Sequence, residues 1–107
     1  MSVRSNEPQL TIIRWRDIPA QVTAKRGRES AKRELPARFQ VAIDRAAMFA
    51  GLFGTDEYLS EWKRDTQACG ADLEAEAAQA AARLEAEYTS EVLNELVAKG
   101  GWYGKGA

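Results

Sequence analysis

The run Gln9-Leu10-Thr11-Ile12-Ile13-Arg14-Trp15-Arg16 alternates its side chains as a strand does, and no other feature narrows the possible folds as much. It is rich in β-branched and aromatic residues. Leu10, Ile12 and Arg14 fall on one face, and Thr11, Ile13 and Trp15 on the other. Asp17-Ile18-Pro19 ends it, because proline fixes φ and has no N–H for a ladder bond. Residues 20–25 read as a second, weaker strand that stops at Arg26-Gly27-Arg28, so the economical arrangement is a hairpin over 9–26. Two strands alone are not stable in water, and a helix must cover one face. The rest of the chain is therefore required to supply helices.

Three helical stretches follow. Residues 29–34 have helix-favouring composition, and Pro36 sits where a first-turn proline is tolerated. Phe39, Ala42, Ile43, Ala46, Ala47 and Ala50 then recur at intervals of three and four, which predicts one helix over about 29–52 with an apolar stripe. Thr55-Asp56-Glu57 is a helix start, a hydroxyl cap before two acids at the positive helix end, and it predicts a helix over 55–66 with Tyr58, Leu59 and Trp62 inward. The last helix is predicted over 71–99, capped by Asp72, with the stripe Leu73, Ala77, Ala80, Ala81, Leu84, Tyr88, Val92, Leu96. The expected fold is α+β: an N-terminal β-hairpin packed on a mainly helical domain with a long C-terminal helix. Residues 1–8 are expected as a flexible tail, 9–99 as a single domain, and 100–107 as a glycine and aromatic tail. Leu10 and Ile12 are expected to pack on the 39–43 helix face.

Composition excludes several chemistries. The 107 residues include no histidine and one cysteine, so zinc, copper, haem and iron–sulfur sites lack ligands, and histidine-dependent hydrolases are excluded. The lone Cys69 cannot form an internal disulfide and fits a reducing compartment. Without a His partner or a CxxC companion it reads as structural or incidental. No apolar run approaches the roughly 20 residues a membrane span needs, and Met1 to Pro8 lack the apolar core of a signal peptide. The expectation is a cytoplasmic protein that is not an enzyme, has no catalytic residues, metal or cofactor, and does not contact membrane.

Charge is uneven despite a net of −1: residues 1–52 carry +5 and residues 53–107 carry −6. Such polarity can orient a partner or a second copy. Arg14, Arg16, Lys25, Arg26, Arg28, Lys32, Arg33 and Arg38 concentrate the basic charge in the hairpin and the segment after it. Arginine and tryptophan on a hairpin can contact phosphates and stack on bases, but a pI near 5.5 is unlike a dedicated nucleic-acid binder. Gly51-Leu52-Phe53-Gly54-Thr55-Asp56 resembles a glycine-rich phosphate loop only superficially. It lacks the preceding strand and the Lys-Ser/Thr ending, and a helix–helix turn explains it better. Trp62 with Tyr58 could wall a flat ligand or pack internally. Trp102-Tyr103, between Gly101 and Gly104, either folds back on the core or reaches another molecule.

Trp15-Arg16-Asp17-Ile18-Pro19-Ala20-Gln21-Val22, Lys32-Arg33-Glu34-Leu35-Pro36 with Arg38-Phe39-Gln40, Gly54-Thr55-Asp56, and Tyr58-Leu59 with Glu61-Trp62 together resemble a small bacterial domain family known as "virulence factor". The resemblance covers residues 12–62. It implies a domain found free-standing or joined to HEAT-like helical repeats, and it brings no catalytic residues. For some free-standing relatives it also implies association with folate- or corrinoid-dependent methyl-transfer proteins.

These observations predict a non-enzymatic protein-interaction protein acting on a protein partner, a second copy of itself, or both. The contact residues are expected to be Arg14, Trp15, Arg16, Arg26, Arg28, Lys32, Arg33, Trp62, Trp102 and Tyr103. The open strand edge, the concentration of charge and the suitability of arginine for interfaces single out the hairpin. The alternative is an accessory subunit of a folate- or corrinoid-dependent methyl-transfer enzyme in one-carbon metabolism. Nucleic-acid binding through the basic hairpin ranks third.

Overall fold

A computed structural model describes residues 7–103; the outer parts of the two expected tails, 1–6 and 104–107, lie outside the described residues. The fold is α+β. Strands β1 (Gln9–Trp15), β2 (Ile18–Arg26), β3 (Glu29–Glu34) and β4 (Trp62–Ala68) form an antiparallel sheet in the order β3-β2-β1-β4. The helices are α1 (Ala37–Phe49), α2 (Asp56–Ser60), α3 (Leu73–Glu87) and α4 (Ser90–Ala98).

The expected hairpin is present as β1 and β2, with one register shift between Ile13 and Arg14, but its turn is only Arg16-Asp17: Ile18 and Pro19, expected as the break, already pair within β2, opposite Trp15 and Arg14. Residues 29–34, expected as helix, are instead β3. Gly27, at φ +58, turns the chain back on itself, and Ala31 then pairs with Ala24 in the core layer. Their helical propensity is worth only tenths of a kcal/mol per residue, which the hairpin ladder to β2 overrides. Leu35 N–H extends that ladder to Ala20 C=O at 3.1 Å, and Pro36 then stands just before α1.

The helix expected over 55–66 stops at Ser60, and the chain continues as β4. Its residues complete the edge of β1 that the hairpin leaves open, with Thr11 opposite Thr66 and their hydroxyls 3.0 Å apart. Leu59, expected inward, is 64% exposed. The long helix expected over 71–99 is two helices. At Tyr88 the backbone leaves the helical region (ψ 74°), and Thr89 starts α4 by accepting Val92 N–H at 3.2 Å. That hydroxyl-plus-acid start, Thr89-Ser90-Glu91, is the same signal that marks α2. Asp72 and Thr55 cap α3 and α2 as expected.

Leu10, Val22, Ala24 and Ala31 face the core. Helix α3 covers β2 and β3 with Ala77, Ala80, Ala81 and Leu84, while α1 packs on β2 and α4. Small alanines let α3 approach the sheet closely. Phe39 and Ile43 are buried in the same core as Leu10, but α3 supplies more of the sheet's cover than α1 does; Ile12 is only partly buried. The opposite face of the sheet, with rows such as Lys32, Thr23, Thr11 and Thr66, carries polar side chains. Phe39, 1% exposed, lies 6.1 Å from the Tyr88 ring and under the Arg38 guanidinium. Phe39→Ala is expected to cost about 3 kcal/mol in urea unfolding; a loss below about 1 kcal/mol, the range of surface substitutions, would place Phe39 outside the core.

Candidate functional site

The hairpin arginines are turned into the molecule. Arg14 Nε donates to Asp65 Oδ2 at 2.8 Å, and its terminal nitrogen donates to the Tyr88 hydroxyl at 3.3 Å. Burial pushes the Tyr88 phenol above its ordinary value, and neighbouring Arg14 offsets part of that rise. Trp15 is fully buried, and its indole N–H donates to Tyr58 C=O at 2.9 Å. It has no surface to offer a partner.

Arg16 sits in the tight turn between β1 and β2 at φ +54, a region that costs a non-glycine residue about 1 kcal/mol or more. Its guanidinium lies between the rings of Trp15 and Trp102, 5.0 Å from each centroid. It donates to Gly100 C=O at 2.9 Å and Glu61 at 3.3 Å, while its Nε is buried without a hydrogen-bond partner. Asp17 completes the clasp: its N–H donates to Gly101 C=O at 2.9 Å, and its carboxylate accepts Tyr103 N–H at 2.7 Å. Gly101 is required here, since its φ is +99 and a Cβ would stand 3.0 Å from the Trp15 ring. The Trp-Arg-Asp motif thus fastens residues 100–103 to the sheet. Trp102 is half-buried there, and Tyr103 packs beside Tyr88 but stays 50% exposed.

The remaining expected contact residues are dispersed. Arg28, Lys32 and Arg33 are exposed and Arg26 is half-buried, on or beside β2 and β3; Arg26 pairs with Glu29 and Arg33 with Glu74. Trp62 stands edge-on to Tyr58 at 6.3 Å, on β4 rather than on the same helix. Arg38 satisfies the end of α3 by donating to Glu85 C=O and Tyr88 C=O. Cys69 is half-buried, its thiol pushed up first by burial and then by the Glu76 charge, which makes it a poor nucleophile.

Most of the exposed large apolar side chains lie elsewhere, at the corner joining α1 and α2, with Val41 and Tyr103 exposed apart from it. Gly51 (φ +76) closes α1, with Leu52 N–H reaching back to Ala47 C=O at 2.8 Å. Gly54 (φ +80) then makes a tight turn, closed by Thr55 N–H on Leu52 C=O, that holds Phe53 outward. Met48, Phe49, Phe53 and Leu59 are 59, 67, 55 and 64% exposed. Beside Phe53 lies a hollow of about 410 Å³ lined by Asp44, Phe53, Gly54, Thr55, Asp56, Tyr58 and Leu59. The rings of Phe53 and Tyr58 are 6.0 Å apart, and the Tyr58 phenol is raised by partial burial and then by the Asp44 charge. Sequence reasoning read Gly51 to Asp56 correctly as a turn but missed the surface. A signal was present, since no Lys or Arg occurs from 46 to 62, where Asp56, Glu57 and Glu61 do.

Among the described residues no group of three or more His, Cys, Asp or Glu could hold a metal ion, and no helix is long and apolar enough to cross a membrane. A family model described as "Virulence factor" matches residues 13–97. No curated protein and no solved structure matches the chain significantly.

Proposed function

Since the chain belongs to the Virulence factor family, matched over residues 13–97, we propose that it acts without catalysis of its own, by docking to a protein partner through the α1–α2 corner. The observation that carries this reading is the gathering of Met48, Phe49, Phe53 and Leu59, all more than half exposed, in one short stretch of chain. Scattered single apolar residues are ordinary on a surface, whereas several together favour a covering partner. The turn at Gly51 and Gly54 presents Phe53 at little ordering cost on binding. Of the side chains expected from sequence, Arg28, Lys32 and Arg33 keep their exposure and would steer an acidic partner by long-range charge rather than anchor it.

The test is a paired Phe53→Asp, Leu59→Asp substitution in the full chain. Both side chains are exposed, so the melting temperature is expected to stay close to the parent's. Complexes isolated at native abundance are expected to lose their partner at least tenfold. An unchanged set of co-purifying proteins, with folding intact, would rule out the corner as the docking site.

A further inference from the structure

We propose that the hollow beside Phe53 receives an arginine side chain of the partner, flanked by apolar residues that cover Phe53 and Leu59. This rests on the docking reading above and adds the chemistry of the occupant. The hollow combines two kinds of wall. Phe53 and Tyr58, with ring centroids 6.0 Å apart, and the acidic residues Asp44 and Asp56 all belong to its lining. Aromatic faces attract a cation through their quadrupole, and a guanidinium both stacks on a ring and makes paired hydrogen bonds to a carboxylate. Each wall alone is ordinary, but their convergence on one hollow selects a flat cation.

Charge complementarity favours a basic occupant. From residue 46 to 62 there is no Lys or Arg to compete for the hollow, and Glu57 adds a third carboxylate on the adjoining turn of α2. Neighbouring cations are engaged elsewhere: Arg45 donates to Asn94 on α4, and Arg16 to Glu61. One oxygen of Asp44 accepts Gln40 Nε2 at 3.0 Å, an exposed contact one helical turn away. Its other oxygen has no hydrogen bond among the described residues and is open to a partner's guanidinium.

The experiment uses the full chain, labelled with ¹⁵N, and two synthetic probes: acetyl-Leu-Arg-Leu-amide and the same peptide with citrulline in place of arginine. Citrulline keeps the shape and removes the charge. The arginine peptide is expected to shift the amide signals of Gly54, Thr55, Tyr58 and Leu59 and to bind at least tenfold more tightly than the citrulline peptide. Asp44→Asn with Asp56→Asn should abolish that preference, and Phe53→Ala should weaken both peptides. Equal affinity for the two peptides, no shifts at the corner, or shifts centred on β3 would overturn the proposal. So would a concentration-dependent dimer in light scattering that is lost in both Asp44→Asn with Asp56→Asn and Lys32→Glu, because the occupant would then be a second copy. The docking reading fails separately: it falls if Phe53→Asp with Leu59→Asp leaves native complexes intact, whatever the peptides do.

Discussion

Trp15→Ala is expected to lower the free energy of unfolding by about 4–5 kcal/mol, at the top of the range for truncating a buried aromatic residue. The indole is fully buried, 5.6 Å from the Tyr58 ring, with the Arg16 guanidinium over it. Truncation opens a cavity, strips Tyr58 C=O of its indole donor, and removes the ring against which Gly101 is packed. Against the ordinary domain stability of about 5–15 kcal/mol, that loss removes roughly a quarter of the total at the least and nearly all of it at the low end. Trp15→Phe, which keeps most of the packing but not the N–H, should cost only about 1 kcal/mol, the net worth of one hydrogen bond, because Tyr58 C=O still accepts Glu61 N–H at 3.3 Å. Urea unfolding followed by circular dichroism measures both; fluorescence is less suitable because Trp62 and Trp102 also contribute. A loss below about 1 kcal/mol for Trp15→Ala would mean the indole is not structural.

Arg16→Glu is expected to cost about 2–3 kcal/mol, below the range for a fully buried unpaired charge, because the Arg16 side chain keeps 11% of its exposure and Glu61 25%. The new carboxylate would face Glu61 and Gly100 C=O, both now bonded to the guanidinium. Arg28→Glu, on an exposed side chain, should stay within about 0.5 kcal/mol. Arg16→Gly separates two contributions, since it relieves the positive φ but loses the guanidinium. It should still be destabilising, because the clasp on residues 100–103 goes with the side chain. Pairing Arg16→Met with Glu61→Gln should cost less than Arg16→Glu, as no unmatched charge remains. If Arg16→Glu melts like the parent, the turn arginine has an external role and the clasp contributes little. If stability falls as expected, any loss of association in that variant follows from unfolding.

These two experiments concern residues that sequence reasoning assigned to a contact surface. The assignment followed real features: an arginine and tryptophan cluster at a hairpin end, on a strand with an open edge. It could not show that β4 would pair along that edge and bring Asp65 opposite the strand, or that residues 100–103 would return to the turn. Both contacts span large sequence separations, Arg14 to Asp65 and Arg16 to Gly100. Leu59 departs from the expected inward position for a related reason. Its spacing from Tyr58 and Trp62 suits an inward helix face, but the helix ends at Ser60, so that face never forms.

What the sequence alone determined is local. The alternation of 9–16 specifies β1, and the apolar and β-branched residues 20–25 specify most of β2, whereas Pro19, expected to mark the break, lies inside β2. The three-and-four spacing from Phe39 specifies α1, and Thr55 and Asp72 specify where α2 and α3 begin. Each of these depends on backbone dihedrals and hydrogen bonds a few residues apart, which side-chain type controls directly. Only tertiary structure decided the rest. Glu29–Glu34 became a strand because Ala31 fills the space opposite Ala24, and Trp62–Ala68 became one because β1 had an unpaired edge. Arg16 was largely covered while Phe53 stayed exposed because residues 100–103 came back over one and nothing among the described residues came over the other. Hydrophobicity measures how much a side chain gains from leaving water, and only the path of the whole chain supplies the neighbour that lets it leave.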